Sequence, residues 1–231
     1  MNMTKLPKSN NVEGLLLVSK PGNMTSHDIV DFVRNKLGTR RVGHAGTLDP
    51  LAEGLLIVLV GRYTKLFPKF VNFDKEYLGV LKLGEVTTTG DCEGQLVKQE
   101  DYSYITESKI NEVFPSFEGE IEQVPPMVSA VRVGGKRLYS LARKGITIAR
   151  SARKINIYSL KILSINLPFV EFCVRCSKGT YVRKLAEDIG ERLGCGAHII
   201  KIKRLSIGRF KLEDAVKLDD IDESRLQKTT I

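Results

Sequence analysis

A glycine-rich loop, together with the apolar run that follows it, constrains the fold of this chain more than any other feature. The loop extends from Gly43 to Gly54 and places Asp49 directly before Pro50. The run Leu55 to Val60 is apolar throughout, which predicts a buried strand. A carboxylate at the mouth of such a strand is held in a fixed position, as a functional site requires. The alternative is that Asp49 only initiates a turn and that His44 lies on the surface.

The charge of the chain favours a polyanionic partner. The 231 residues have a formal net charge of +9. Residues 132–154 contain eight Lys or Arg and no acid, and residues 201–211 contain five and no acid. Such clusters favour nucleic acid, because neutralising phosphates releases counterions; a merely solvated basic surface is the alternative. The N-terminus lacks the apolar core of a signal peptide and no apolar run could cross a bilayer, so we expect a cytoplasmic protein.

The four cysteines do not predict a metal site. Cys173 with Cys176, and Cys195 with His198, have a spacing typical of zinc ligands. However, Cys173 and Cys176 belong to an alternating strand pattern, in which residues three apart face opposite sides of the sheet. We therefore expect buried, reduced thiols and no structural zinc.

The remaining patterns predict an α+β fold built around a mixed, largely antiparallel sheet flanked by helices. Thr25 and Asp28 match a capping box before an amphipathic helix that ends at Gly38. Strands outnumber helices, and no linker marks a second domain, so we expect one domain over residues 1–231. Strands are predicted at 12–19, 55–60, 75–83, 95–99, 155–165, 169–176 and 198–210; helices are predicted at 64–70 (limited by Pro68) and 106–114, from the turn at 177–183 to Leu193, and at 212–221.

Residues 124–153 predict a protruding basic arm. Two prolines open an extended segment, Gly134-Gly135 marks a hairpin, and a short basic helix over 138–144 ends at Gly145. With few acids and few large apolar side chains, this region cannot be deeply buried. An ordinary solvated insertion is the alternative.

Four motifs link this sequence to a known family. They are Lys20-Pro-Gly-Asn-Met-Thr-Ser26, Arg41-Val-Gly-His-Ala-Gly-Thr-Leu-Asp-Pro-Leu-Ala-Glu-Gly54, Cys176-Ser-Lys-Gly-Thr-Tyr-Val-Arg183 and Gly194-Cys-Gly-Ala-His198. In this order and spacing they resemble the TruB-type tRNA pseudouridine(55) synthases, from about Val12 to Phe210. Larger eukaryotic relatives that modify ribosomal RNA within guide-RNA particles share the central motif, but the resemblance favours the stand-alone tRNA enzyme.

The resemblance implies a pseudouridine synthase fold and a reaction. Uridine at position 55, in the T-loop of tRNA, would become pseudouridine without a cofactor or a metal. The uracil is cut from its ribose, turned and rejoined through carbon, and the target base must first leave its stack. Asp49 would be the nucleophile, and Arg183 would pair with it and keep the pKa of its carboxyl low. Whether Asp49 attacks the sugar or the base stays open.

Other residues match family positions that contact the flipped base. Tyr77 matches a tyrosine that stacks on the base and is a candidate for proton removal, which a phenol with a pKa of about 10 performs only in a favourable environment. Tyr181 matches a second base-contacting tyrosine, and Ile202 matches an aliphatic wall that excludes water. His44 matches a histidine that fills the space left by flipped nucleotides, so we expect it to stack and not to transfer protons.

The resemblance also implies contacts with the T-arm of tRNA. The segment 124–153 matches a mobile insertion that closes over the RNA stem-loop. Family members usually have a C-terminal PUA-type domain, and we expect none here. We also expect a monomer with no protein partner and no membrane association. Phosphate contacts are expected from Lys20, Arg132, Lys136, Arg137, Arg143 and Lys144.

Two rival classes fit parts of the sequence. A non-catalytic RNA-binding module or tRNA folding chaperone would explain the basic arm, but it has no use for a carboxylate such as Asp49, which repels phosphate. A glycosidase-like hydrolase needs two positioned acids, and only Glu53 lies close to Asp49 in sequence.

Overall fold

The computed structural model describes residues 12–129, 132–142 and 145–228 and shows an α+β architecture. The strands are β1 (Gly14–Lys20), β2 (Val42–Ala45), β3 (Glu53–Val60), β4 (Lys75–Leu83), β5 (Glu85–Thr87), β6 (Leu96–Gln99), β7 (Gly119–Gln123), β8 (Arg132–Val133), β9 (Lys136–Arg137), β10 (Arg153–Asn166), β11 (Phe169–Cys176), β12 (Ala197–Ile207) and β13 (Phe210–Lys211). The helices are α1 (Ser26–Lys36), α2 (Phe67–Phe70), α3 (Glu107–Val113), α4 (Leu138–Ala142) and α5 (Val182–Leu193). Short 3-10 turns lie at Gly61–Leu66, Phe114–Phe117, Leu212–Asp214, Leu218–Asp220 and Glu223–Arg225.

The chain divides into two compact units, of which the first is Met1–Lys75 with Lys203–Ile231. Its central strand is β3. One edge of β3 bonds antiparallel to β1 from Gly54 to Val60. The other edge bonds parallel to β12 at Glu53 and Gly54 and antiparallel to β2 from Ile57 onward. The predicted sheet, mixed and largely antiparallel, is thus confirmed, and β3 has a partner on both edges.

The side chains of β3 alternate between two apolar clusters. Leu56, Val58 and Val60 pack with the buried face of α1, whereas the intervening residues Leu55, Ile57 and Leu59 pack with Phe70 and Phe210. Burial on both faces explains why the run is apolar without interruption. Each of these side chains stabilises the fold by about 1.5–3 kcal/mol.

The predicted capping box starts α1. Asp28 N–H donates to Thr25 Oγ1 at 3.1 Å, and Thr25 N–H donates to Asp28 Oδ2 at 2.7 Å. The helix ends at Lys36, and Gly38 follows with a φ of +60°. These bonds fix the first turn of α1, and with it Ser26, close to the loop that contains Asp49.

The second unit, Glu76–Ile202, contains the strand order β4-β11-β10-β7, in which β10 pairs antiparallel with both of its neighbours. Along β4, buried and half-buried residues alternate. Gly79 is needed there, because an added Cβ would lie 2.6 Å from the ring of Phe172. That ring meets Phe114 edge to face, with centroids 6.1 Å apart. The strands predicted over 75–83, 95–99, 155–165 and 169–176 are therefore confirmed, with small changes at their ends.

Three local predictions are wrong. The segment 212–221 is not a helix: it forms 3-10 turns around an extended stretch, because Val216 exchanges backbone hydrogen bonds of 2.9 Å with Leu17 and Ser19 on β1. Pro68 does not limit the helix near 64–70 but lies in the first turn of α2, where its missing N–H has no helical partner to lose. The strand predicted over 198–210 is confirmed as β12 up to Ile207 but is wrong beyond it, because a φ of +55° at Gly208 turns β12 into β13.

The basic arm is described in part. Gly134 and Gly135, both with positive φ, connect β8 to β9, so the predicted hairpin is confirmed. The helix α4 follows, and Gly145 N–H donates to Ala142 O at 2.9 Å. Of the predicted phosphate contacts, Arg143 and Lys144 lie outside the described residues, as do the side chains of Arg132, Lys136 and Arg137.

Two of the cysteines match the strand argument, and the expectation of buried thiols is wrong for Cys92, which is exposed, whereas Cys195 is buried. Cys176 is buried and Cys173 is half-buried, on opposite faces of β11. Within residues 12–129, 132–142 and 145–228, no cluster of His, Cys, Asp or Glu could hold a metal ion. Over the same residues, no helix has the length and apolar character needed to span a membrane.

Candidate active site

Asp49 lies half-buried in the loop between β2 and β3, in the first unit. The loop turns tightly there, since Ala52 N–H donates to the main-chain oxygen of Asp49 at 3.1 Å. Glycines at its two ends, Gly46 and Gly54, have φ values of +83° and +102°. Side chains from three other elements hold the main chain of this loop.

Lys20 holds the tip of the loop. Its ammonium is buried and donates to the main-chain oxygens of Met24 at 2.5 Å, Pro21 at 2.9 Å and Pro50 at 3.2 Å. Asn23 N–H also donates to Pro50 O, at 2.9 Å. The turn after β1 is therefore bonded to the residue that follows Asp49.

The charge of Lys20 is sensitive to this environment. Burial lowers the pKa of Lys20 to about 8, and the nearby carboxylates of Asp49 and Glu53 oppose the shift. Lys20 is 1 % exposed, and its ammonium would have to leave three carbonyl oxygens before it could contact a phosphate.

Ser26 holds the residue that precedes Asp49. Its hydroxyl donates to Leu48 O at 3.0 Å and accepts from Leu48 N–H at 2.8 Å. Both groups of Leu48 are thus paired by one buried side chain at the start of α1.

Arg204, on β12, holds both ends of the loop. Its Nε donates to Leu55 O at 2.8 Å, and its Nη2 donates to Gly46 O at 2.8 Å. The residue is 1 % exposed and is among the largest fully buried side chains. The main chain of the loop is therefore held at four points around Asp49: Gly46, Leu48, Pro50 and Leu55.

His44 lies on β2, opposite Val58 of β3. Burial lowers the pKa of His44 to about 4, and the charge of Arg204 contributes to the shift. Among the described residues, its buried Nδ1 has no hydrogen-bond partner. The imidazole is neutral near pH 7, which suits the expected stacking role and not proton transfer.

Arg183 lies in the second unit, at the start of α5. It is 3 % exposed. Its Nη1 donates to Thr89 O at 2.9 Å and pairs with Asp91 Oδ2 at 3.2 Å, and its Nη2 donates to Val128 O at 2.7 Å. A buried guanidinium needs such partners to offset its desolvation. The loop after β5 and the base of the arm therefore fix the direction of this side chain.

Asp91 is itself firmly held. Its Oδ1 accepts from Thr89 Oγ1 at 2.5 Å and from Glu93 N–H at 3.1 Å, and its main-chain oxygen accepts from Thr87 Oγ1 at 2.7 Å. The side chain of Asp91 is only 5 % exposed. A carboxylate fixed in this way gives Arg183 a rigid ionic partner.

The aromatic and aliphatic candidates occupy the second unit. Tyr77 and Ile202 are buried, on β4 and β12 respectively. Tyr181 precedes α5, and the buried side chain of Gln123 clamps its main chain: Tyr181 N–H donates to Gln123 Oε1 at 2.8 Å, and Gln123 Nε2 donates to Tyr181 O at 3.1 Å. These two bonds fix the main-chain position of Tyr181, from which its side chain extends.

Sequence reasoning found the candidate residues but missed the side chains that hold them. Within the first unit the structure brings together Lys20, His44 and the loop of Asp49; within the second it fixes Tyr181 and Arg183. The missed residues are Ser26, Asp91, Gln123 and Arg204. The signals present in the sequence were Ser26 inside a family motif and Asp91 as one of two acids in a threonine- and glycine-rich turn; Arg204 was hidden in a basic stretch.

A comparison with known protein families identifies the family of this chain. The model for the TruB family pseudouridylate synthase N-terminal domain matches residues 34–182. The chain belongs to the TruB family. The model for the tRNA pseudouridylate synthase B C-terminal domain matches residues 183–230. Members of the TruB family are pseudouridylate synthases and hence isomerases, so the resemblance of the four motifs is confirmed.

Individual TruB relatives are similar over almost all of the chain. The tRNA pseudouridine synthase B of Clostridium tetani is 47 % identical over 220 residues, which are 95 % of this chain and 76 % of that protein. The protein of the same name from Geotalea uraniireducens is 48 % identical over 209 residues, which are 90 % of this chain and 67 % of that protein.

Solved structures show the same fold. A chain in the crystal structure of a Cbf5-Nop10-Gar1 complex has a TM-score of 0.72 and 31 % identity, and the match covers 93 % of this chain and 55 % of that one. A chain in the structure of an H/ACA RNP bound to a substrate RNA containing 2'-deoxyuridine has a TM-score of 0.67 and 28 % identity, with coverage of 90 % and 51 %. The present chain spans about half the length of these solved chains.

Proposed function

We propose that this TruB-family chain converts uridine 55 in the T-loop of tRNA to pseudouridine, with Asp49 as the nucleophile. The family match and the names of the similar proteins support the reaction and the tRNA substrate. One structural observation supports the role of Asp49: the family motif around it forms a loop whose main chain is held on both sides of the carboxylate. Such fixation suits a nucleophile, because reactivity depends on a near-attack geometry.

The reaction is an isomerisation. The bond between N1 of uracil and C1′ of ribose breaks, a bond between C5 and C1′ forms, and the proton lost from C5 is balanced by one gained at N1. Asp49, as a carboxylate, attacks either the sugar or the base of a nucleotide that has left its stack. We propose Tyr77 as the group that stacks on the flipped base and removes the C5 proton.

Arg183 is proposed as the partner of the Asp49 carboxylate. The match of both residues to the family motifs supports this pairing. The ionic bond to Asp91 supports it too, because a guanidinium fixed by one carboxylate and two carbonyls has a defined direction. An arginine beside Asp49 would hold the pKa of that carboxyl low and keep it ionised.

The remaining candidates are proposed as RNA-binding residues. Tyr181 and Ile202 would line the place of the flipped base, and the neutral ring of His44 would stack in the vacated T-loop. The arm, over residues 124–153, would contact phosphates through Arg132, Lys136, Arg137, Arg143 and Lys144. Lys20 would affect RNA binding indirectly, because it holds the loop that contains Asp49. We propose a single catalytic domain that acts as a cytoplasmic monomer.

The test uses an unmodified tRNA transcript with wild-type protein and with Asp49→Asn. Pseudouridine is mapped chemically along the transcript, and tRNA binding is measured in parallel. We expect modification of the T-loop uridine by the wild type and none by Asp49→Asn, with tRNA affinity within about threefold of the wild type. Tight binding without product from either protein would support the RNA-binding module instead. Modification at another uridine would contradict the proposed position.

A further inference from the structure

Arg204 lies in a stretch whose charge suggests an RNA-binding surface, but its own side chain faces inward. The neighbours Lys201 and Lys203 are exposed, whereas Arg204 is 1 % exposed. Transfer of an unpaired guanidinium from water costs several kcal/mol, so it is retained only where its donors are satisfied. Among the described residues, Arg204 makes no ion pair, and its side chain donates to two main-chain oxygens. A phosphate contact or a surface ion pair therefore does not account for this cation.

The two oxygens lie on opposite sides of Asp49 in the sequence. Gly46 O is three residues before it and Leu55 O six residues after it, and each accepts a hydrogen bond of 2.8 Å from a different nitrogen of the same guanidinium. The planar fork of arginine presents several donors in fixed directions, which an ammonium does not. One side chain thus closes the base of the loop that contains the carboxylate.

The main chain of Arg204 adds a second restraint on the same loop. Arg204 pairs with Gly54 in the parallel contact of β12 with β3. A Cβ at Gly54 would lie 2.3 Å from Arg204 O and 2.7 Å from Arg204 N, so the two main chains touch. At the other end, a Cβ at Gly46 would lie 3.4 Å from Arg204 Nη1. A side chain at Gly54 would therefore collide with the main chain of Arg204, whereas Gly46 lies within contact distance of the guanidinium.

We propose that Arg204 is a positioning residue of the reaction, which ties the two ends of the Asp49 loop together and so fixes the nucleophile relative to the flipped nucleotide. The proposal deepens the function given above and rests on it. It assigns Arg204 no contact with the RNA. Its loss should therefore slow the chemical step and leave tRNA affinity largely unchanged.

The test compares Arg204→Lys, Arg204→Met and Arg204→Ala with wild type under single turnover, with enzyme saturating over tRNA. The rate of pseudouridine formation and the Kd for tRNA are measured separately. We expect the rate of Arg204→Met and Arg204→Ala to fall roughly 100-fold, the size of effect that a small misplacement of a reacting group causes. The Kd should stay within about threefold of wild type, and Arg204→Lys should retain an intermediate rate.

Chemical rescue separates positioning from general damage. Methylguanidinium at millimolar concentration should restore part of the rate of Arg204→Ala, by refilling the vacated space and donating to both carbonyls, whereas methylammonium should restore less. Arg62→Met is the matched control, because Arg62 lies in the same unit but is 78 % exposed and pairs with Glu13. It should keep the wild-type rate. If the Met and Ala variants do not fold, the rate and the Kd of Arg204→Lys test the proposal, and a wild-type rate for this variant would overturn it.

Two outcomes would overturn the proposal: a folded Arg204→Met with the wild-type rate, or a loss of activity that lies wholly in tRNA affinity. Failure of the proposed function is a different result, since wild type itself would then form no pseudouridine. In that case hydrogen exchange still tests the positioning role. The amides of residues 47–49 and 51–54 should exchange at least tenfold faster in Arg204→Met than in wild type, and an unchanged exchange rate would refute the proposed positioning role.

Discussion

The imidazole of His44 is neutral at physiological pH because of the groups around it. Burial lowers its pKa to about 4, and the cation of Arg204 adds to the shift. A neutral, flat ring stacks on a base without attracting the phosphates of the backbone. The motif indicated a histidine at this position, but its protonation state depends on its burial and on the charge of Arg204, which is 160 residues away in the sequence.

We predict that the stability of the protein falls in acid partly through His44. Its pKa is lower in the folded chain than the ordinary value near 6.5, so as the pH falls below about 6.5 the unfolded chain binds a proton that the folded chain does not. From pH 7 to pH 5 the wild type should lose about 2 kcal/mol more of its free energy of unfolding than His44→Phe. Urea denaturation at both pH values measures this difference.

The same variant tests the stacking role. His44→Phe should retain more pseudouridine-forming activity than His44→Ala, because a phenyl ring still stacks. Equal losses in the two variants would count against stacking. His27→Gln is the control for both measurements, since the side chain of His27 is 69 % exposed and its charge is the smallest of the three causes that lower the pKa of His44. It should keep the activity of the wild type and change the pH dependence far less than His44→Phe does.

Asp91 is predicted to act through Arg183. Asp91→Asn removes the charge that balances a buried guanidinium, and breaking such a pair destabilises a protein by about 3–5 kcal/mol. The direction of Arg183 is lost as well, so the single-turnover rate should fall at least tenfold. Urea denaturation and the rate assay measure the two effects.

Glu93→Gln is the control for Asp91, because Glu93 is an exposed acid of the same loop. It should change neither quantity by more than the experimental error. An Asp91→Asn protein with full activity would show that Arg183 does not need this carboxylate.

The elements of the fold were predictable where one strand or helix shows its own pattern. The run of β3, the alternation of β4 and the capping box of α1 each indicated the right element. The segment 212–221 did not, because its conformation is set by backbone bonds to β1 and not by its own periodicity. The contacts of Arg204 were hidden for a similar reason: its partners are 149 and 158 residues away, and a basic stretch normally indicates a surface.

At the start of α1, two adjacent residues have separable roles. Thr25 caps the helix, whereas Ser26 pairs both main-chain groups of Leu48 in the Asp49 loop. Thr25→Ala should cost about 1 kcal/mol of stability and leave the rate nearly unchanged. Ser26→Ala leaves two buried groups unpaired, so it should cost about 1–3 kcal/mol and slow the reaction about tenfold.

Urea denaturation and single-turnover rates of the two variants check this separation. The two variants serve as controls for each other, since each removes one hydroxyl from the same turn. Parallel losses of rate and stability in both would show that helix integrity, and not the bonding of Ser26 to Leu48, determines the rate.

At the scale of the whole molecule, the surplus of positive charge should govern tRNA affinity. The proposed phosphate contacts lie mostly in the arm. The triple change Arg132→Gln, Lys136→Gln and Arg137→Gln should therefore weaken tRNA binding. It should also reduce the slope of log Kd against log salt concentration by about 0.7–0.9 for each phosphate that the arm no longer neutralises. The chemical rate at saturating enzyme should stay within about threefold.

Filter binding over a range of salt concentrations measures this slope. Lys98→Gln is the control, because Lys98 is an exposed cation outside the arm, paired with Glu100. A triple variant with an unchanged slope would mean that the arm does not bind phosphates, and its charge would then be that of a solvated insertion.

The bonds that Lys20, Ser26 and Arg204 make to the Asp49 loop end on main-chain oxygens or amides. Every amino acid other than proline brings the same main-chain groups. Exchanges of side chains at the loop's non-glycine positions therefore leave these anchors in place. A chemist could use this to install an unnatural or inert residue at position 49 and obtain a protein that retains bound tRNA as a trap. Over evolutionary time, the same arrangement would let the chemistry at the tip change while the scaffold beneath it is inherited intact.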